Sequence, residues 1–480
     1  MNLKPLKPRR TLNVFLLGML SLAVVISLRN LPFTAAYGFS SIFFYSAAAL
    51  FFMIPYALIS AELASGWPKE GGIYVWVKTA LGNRWGFFAI WMQWFHNMTW
   101  YPAMLAFVGA ILAQFIDPEL AKSKFFLLSV IIIGFWGITF TNFLGIKTSA
   151  LVSAICVIFG AILPGLILIG MALHWVITKG MVAFESMQFV PDLNPTNLVF
   201  LSGVFLALSG LEANANLARE VKDPQKNYPR AMLMATFLIL AILILGSLAI
   251  AIVIPPEKIS LVSGLLDAFR FFFDLYHLQW IIPIVFLMTI LGSIGEINAW
   301  VIAGVKGLFV TTEYGCLPPI FHRTNDRHIP VNLMLFQAIA VTISAFIFLY
   351  IPNVSIAYWL LSALSAQMYL LMYILLFISG IVLRYRYPNV RRVYKIPFKN
   401  LGIWIAGLMG IGSALLALFL SFTPPVKYFK MEILPFEIVV ITGFLINFSI
   451  PLIIFSMRKP HWKLLVLKEI KEEIYKNTHE

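Results

Sequence analysis

Apolar runs of about 20 residues recur from one end of this chain to the other, and that pattern admits few folds. A segment in lipid has no water for its backbone N–H and C=O groups, so it must satisfy them itself. A helix does so within one segment, whereas a β-barrel shows short alternating strands. The runs here are continuous, so they predict helices. Twelve candidate spans cover residues 12–37, 40–64, 86–115, 125–144, 149–177, 197–218, 231–254, 279–310, 332–351, 355–383, 401–421 and 436–457. The connections are short and leave no room for a soluble domain. Only 12% of the residues are charged, against roughly 25% in a soluble domain.

The net charge of +14 invites a nucleic-acid reading, and its distribution argues against one. With the N-terminus cytoplasmic, 27 of the 35 Lys and Arg residues fall inside and 7 outside, Arg29 being the remaining one. That is the bias that orients membrane proteins. It predicts a multi-pass protein of the cytoplasmic (inner) membrane with both termini inside, in contact with lipid and not with nucleic acid.

Two cysteines, Cys156 and Cys316, give no disulfide framework. The seven histidines show no metal-ligand spacing, so no metal and no cofactor is expected. The N-terminal basic stretch and apolar run resemble a signal peptide, but the run is too long for one and reads as a retained first helix. In the tail, Leu464, Leu467, Ile470 and Ile474 have the spacing of an amphipathic helix at the inner membrane surface; a short cytosolic helix fits as well.

Ionisable residues within spans are rare and point to function. Of the 21 acids, Glu62, Glu212 and Glu296 lie in or at the ends of spans. Glu62, near the cytoplasmic interface, reads as a cap, a partner for a nearby lysine, or a gate. Glu212 sits where span 6 meets Ser209, Gly210, Asn214 and Asn216 in quick succession, residues that weaken a helix. Span 1 is interrupted in the same way by Ser27, Leu28, Arg29, Asn30 and Pro32.

The two breaks lie five spans apart. Corresponding interrupted helices are the sequence mark of a secondary transporter's binding site. Because five is odd, the second half runs in the opposite sense. The fold class expected is an all-α membrane protein of twelve transmembrane helices, with a 5+5 inverted repeat plus two C-terminal helices. The repeats cover 12–177 and 197–383, the extra helices 401–457, and the cytoplasmic tails 1–11 and 458–480. A broken helix leaves N–H groups free on one half and C=O groups on the other. The first suits a carboxylate and the second an ammonium, so two crossed breaks suit a zwitterion such as an amino acid. Glu296 and Trp300 share a face of span 8, Tyr369 and Tyr373 a face of span 10, and Gln93, Asn97 and Trp100 roughly one face of span 3.

Three motifs carry a family likeness: WPKEGGIYVWV after span 2, GLEANANLAREVKDPQKNYPRAM in and after span 6, and GEINAWVIAGVKGLFVTTEYGCLPPIFHRTNDRHIPV from span 8 onward. On these the chain resembles the amino acid–polyamine–organocation superfamily, in its bacterial glutamate/GABA antiporter branch. The resemblance implies a LeuT-like fold and amino acid exchange or proton-coupled transport by alternating access. It implies that both breaks hold the substrate backbone, that Glu212 and Glu296 match the family's carboxylates in spans 6 and 8, and that Trp300, Tyr369 and Tyr373 match aromatic positions near the site. The sequence departs from the family in two places. Many members have a glycine–small–glycine break in span 1 where this chain has SLRNLP, and the long C-terminal plug of the glutamate/GABA antiporter is here a tail of about 22 residues.

Arg29 admits three readings: it holds a substrate carboxylate with its two-pronged donor geometry, it pairs with Glu212 or Glu296 as a gate, or it neutralises a buried glutamate. Arg29, Glu62, Glu212 and Glu296 are the candidates for gating or proton coupling. A sodium site would draw on Ser27 and Ser293. The sequence sets no oligomeric state. Antiport of amino acids is the expected function and proton symport the alternative. A membrane-embedded enzyme would leave the paired breaks unexplained; a sensor that binds an amino acid without moving it stays open, with no attached signalling domain to favour it.

Overall fold

The computed structural model describes residues 12–179, 189–191, 198, 201–255, 259, 263–351, 354–423 and 433–463. The tail pattern from Leu464 onward lies outside them. Among the described residues, ten helices are long and apolar enough to cross a membrane, and two shorter apolar stretches, Val14–Asn30 and Leu201–Ala215, take the places of spans 1 and 6.

In span 1, α1 (Val14–Val25) starts on Asn13, whose side chain accepts the Leu16 N–H, and ends where Ile26 and Ser27 become extended. A 3-10 turn (Leu28–Asn30) then leads into α2 (Leu31–Ala35). Pro32 occupies the first turn of α2, where its missing N–H removes no helical bond. It therefore starts the second half of the helix and does not break the first. The remaining elements of the first half are α3 (Ser40–Gly66), α4 (Gly72–Leu81), α5 (Asn83–Ile116), α6 (Lys124–Asn142) and α7 (Ser149–Lys179).

Span 6 consists of α8 (Leu201–Ala207), a break at Ser209 and Gly210, and a 3-10 segment (Leu211–Glu220). Then follow α9 (Pro224–Ala251), α10 (Gly264–Leu275), α11 (Ile282–Glu313), α12 (Val331–Tyr350), α13 (Val354–Arg386), α14 (Lys399–Leu420) and α15 (Ile433–Ser456). The order repeats after five spans: a broken first span, then a short helix between the second and third, α4 in one half and α10 in the other. Neither connecting helix is legible in the pattern of long apolar runs.

The two broken spans run antiparallel. Leu12, just before α1, bridges Val221, just after the 3-10 segment, with the Lys222 N–H on the Leu12 carbonyl at 2.9 Å. Midway along, Asn214 donates to Ser21 at 3.1 Å. Spans 5 and 8 touch backbone to backbone, since a Cβ on Gly160 would lie 2.1 Å from the Gly292 nitrogen. No side chain fits between the two helices at that point. They hold the wall on which Glu296 sits.

Candidate functional site

The two breaks meet. Gly210 has φ +127°, a conformation that side chains rarely adopt, and a Cβ there would lie 3.0 Å from Trp300, 3.2 Å from Val25 and 3.3 Å from the Val24 carbonyl. Only a glycine lets span 6 approach span 1 this closely. Around the contact, aromatic side chains take up the backbone groups that the broken helices leave over. The Trp300 indole donates to the Val24 carbonyl at 2.7 Å, and the Tyr56 hydroxyl to the Leu208 carbonyl at 2.6 Å. The Tyr373 hydroxyl accepts the Gly210 N–H at 2.8 Å. On the other half of span 1, the amides of Ser27, Leu28 and Arg29 have no backbone acceptor among the described residues. These three residues also line the small cavities at the break.

Glu212 is fully buried two residues beyond Gly210. Three donors converge on its carboxylate: Tyr369, Tyr373 at 2.7 Å, and Gln93 at 3.1 Å. No cation lies within 4.0 Å of it among the described residues. The two tyrosines, one helical turn apart on α13, thereby join spans 10 and 6.

Arg29 is 2% exposed, yet its Nε and Nη1 have no hydrogen-bond partner and no carboxylate lies within 4.0 Å of it among the described residues. Its guanidinium stacks instead over Tyr358 at 4.9 Å and Trp100 at 5.8 Å from the ring centroids. Glu296 lines the same two small cavities as Arg29 and interacts with it electrostatically without an ion pair. Ser27 approaches Glu296 there, but its hydroxyl closes no hydrogen bond, and Ser293 donates to the Thr289 carbonyl of its own helix. The structure thus brings together Ser27, Leu28, Arg29, Asn30, Ser209, Glu296, Trp300 and Tyr369 on the walls of small central cavities, with Gly210, Glu212 and Tyr373 in contact behind them.

Glu62 lies elsewhere. It is six residues beyond Tyr56 on α3, about 9 Å along a helix axis. Its partners are two arginines from across the fold, Arg384 at 2.6 Å and Arg392 at 3.4 Å, and the Ile396 N–H at 2.8 Å. Arg392 also stacks on Trp67. Of the readings open to Glu62, pairing with a nearby lysine is not seen among the described residues. A second buried ion pair, Lys306 with Glu70 at 3.8 Å, had no sequence signal beyond the two charges.

His96 was passed over in the sequence. It lies three residues from Gln93 on the face of span 3 that turns inward, and it lines the central cavity with Arg29 and Glu296. Its ring stacks on Tyr369 with centroids 4.1 Å apart. The i, i+3 spacing from Gln93 is the sequence signal that puts His96 on that face. Among the described residues no cluster of metal ligands occurs.

The central cavity that Arg29, His96 and Glu296 share measures about 20 Å³, room for one water. An amino acid enters it only when the walls part.

The model of the amino acid permease family matches residues 12–454. The chain is similar to an uncharacterized transporter of Legionella pneumophila, 41% identical over 445 residues that cover 92% of this chain and 96% of that one. It is 30% identical over 463 residues to a glutamate/gamma-aminobutyrate antiporter of Lactococcus lactis, covering 94% and 91% of the two chains. A probable agmatine/putrescine antiporter of the same species is 26% identical over 406 residues, covering 83% and 85%.

Proposed function

We propose that this chain, which belongs to the amino acid permease family, exchanges acidic amino acids across the cytoplasmic membrane at the cavity between its two helix breaks. The observation that carries the substrate class is Arg29. A guanidinium 2% exposed, with two nitrogens unpartnered, lines that cavity. A buried charge without a partner is costly, and a carboxylate arriving as ligand would remove that cost. The two free nitrogens suit the side-chain carboxylate of a substrate, while the unpaired amides of residues 27–29 suit its α-carboxylate. The relative named as a glutamate/gamma-aminobutyrate antiporter supports L-glutamate as the first probe and antiport as the mode.

Alternating access follows from the closed cavity. Spans 1 and 6 are pinned together by the Leu12–Val221 bridge and the Asn214–Ser21 hydrogen bond, so they are suited to move as one body. Glu296, beside Arg29, is the group we assign to proton coupling where it occurs. Both termini lie in the cytoplasm in this reading, which the distribution of basic residues supports.

Counterflow in proteoliposomes loaded with unlabelled L-glutamate tests this, with labelled L-glutamate outside. Uptake is expected in the wild type. In Arg29→Ala, half-saturation for glutamate is expected to rise at least tenfold, with a smaller change for a neutral amino acid. Absence of uptake for every amino acid overturns the exchange reading, and equal effects on acidic and neutral substrates overturn the role of Arg29.

A further inference from the structure

His96 is 2% exposed in the middle of α5, and its position is fixed on three sides. One face stacks on Tyr369, 4.1 Å between centroids and 3° from parallel. Trp300 meets the ring edge-on at 5.0 Å. The Nδ1 side is tied to α13, where Ser365 Oγ lies 3.0 Å away.

Ser365 also donates to the backbone carbonyl of His96, at 3.1 Å. A serine hydroxyl has one proton. With that proton given to the carbonyl, Oγ offers Nδ1 a lone pair, and the ring must supply the proton. Both hydrogen bonds then form. The other tautomer makes only one bond with Ser365 and leaves a buried N–H with no acceptor, which is rarer in proteins than a bare acceptor. The tautomer thus follows from counting hydrogen bonds. Nδ1 carries the proton, and Nε2 presents a lone pair. Nε2 is buried and has no partner.

The cavity that His96 lines holds acceptors as well as the guanidinium of Arg29. The cavity wall beside His96 includes Val24 and Val25, the last residues of α1, and the carboxylate of Glu296. The C=O end of a helix carries negative partial charge. The end of α1 and Glu296 are thus acceptors on the wall that His96 shares, and Arg29 is the charged donor on the same wall. A ligand group that satisfies Nε2 must bring N–H or O–H bonds, and a cationic one suits the site best.

On the reading of the cavity given above, we propose that His96 Nε2 accepts a hydrogen bond from the ammonium group of the bound amino acid. Ser365 fixes the tautomer that makes this contact possible. The pair sets selectivity for a primary ammonium over molecules in which that group is absent or fully methylated. His96 is a specificity-determining residue, and Ser365 positions it.

The test is binding to the purified full chain in detergent, followed by calorimetry or ligand-induced thermal stabilisation, with counterflow in parallel. The probes are L-glutamate, glutarate, which lacks the ammonium, and N,N,N-trimethylglutamate, which has the charge without N–H groups. The wild type is expected to prefer L-glutamate to both by tenfold or more. In His96→Leu, affinity for L-glutamate is expected to fall about tenfold, while affinity for the other two stays unchanged. His96→Gln places an amide oxygen near the position of Nε2 and is expected to restore most of the preference. Ser365→Ala is expected to fall between wild type and His96→Leu. An equal loss for all three probes in both His96 variants, or full discrimination in His96→Leu, overturns the proposal. Binding of L-glutamate by the wild type without flux overturns the exchange reading alone. No binding of any probe by the wild type overturns both.

Discussion

Replacing Tyr373 with phenylalanine removes one oxygen atom and tests how the two halves of the site are joined. That oxygen accepts the Gly210 N–H at 2.8 Å and donates to Glu212 at 2.7 Å. Gly210 cannot turn its N–H elsewhere, because it is held at φ +127° with Trp300 and Val25 against it. The variant therefore leaves a buried N–H unpaired, at about 1–3 kcal/mol, and loses a hydrogen bond to a carboxylate worth about 1.5–3 kcal/mol. With partial relaxation the sum is about 3–5 kcal/mol. The ring itself stays packed against Phe52 and Tyr56, so no cavity opens. Tyr369→Phe is the control. It loses only a bond to Glu212 Oε1, which keeps Gln93 at 3.1 Å, so its cost is about 1.5–3 kcal/mol. Unfolding entropy of about 2 cal/mol/K per residue makes 1 kcal/mol worth about 1 °C in a cooperative unit of this length. Thermal unfolding in detergent should then show Tyr373→Phe melting about 3–5 °C below wild type, with Tyr369→Phe between them. The reasoning fails if Tyr369→Phe is the more damaging, or if Tyr373→Phe melts within 1 °C of wild type.

Other perturbations follow from the periphery of the site. Glu62→Ala strands Arg384 and Arg392, both buried, and should cost about 3–5 kcal/mol; restoring most of the lost melting temperature with Arg384→Met in the same chain would tie the cost to the stranded charge, and no restoration would refute that cause. Lys78, half-buried with its ammonium 3.0 Å from the centroid of Tyr314, has its pKa held down to about 8 by burial. From pH 8 to about 10.5 the unfolded chain binds a proton that the folded chain lacks, so this residue makes stability rise with pH through that window. Unfolding temperatures measured across it should rise less steeply in Lys78→Met, and an identical slope would refute the assignment.

The spans and their breaks were legible because both are local signals. An apolar run long enough to cross a bilayer shows in any window of the sequence, and so do the serines, glycine and arginine that interrupt two of them. Glu212, Glu296, Arg29 and the tyrosine pair of span 10 stood out for the same reason: polar groups are conspicuous where lipid is expected. The helices α4 and α10 did not stand out, being too short to register among the longer runs. Pro32 misled in a small way, since a proline marks a helix start as readily as an end.

By itself, then, the amino-acid sequence determined the membrane architecture, the repeat after five spans and the two positions where a helix cannot continue. Only the tertiary structure decided which groups meet there. Glu212 finds Tyr369 and Tyr373 from 157 and 161 residues away, His96 finds Ser365 across 269, and Glu62 finds Arg384 across 322. Arg29 meets no carboxylate within ion-pair distance among the described residues, although two buried glutamates stand in neighbouring helices. Helical periodicity says which face a side chain occupies. It does not say which other face will be packed against it, because that depends on how twelve spans share one core.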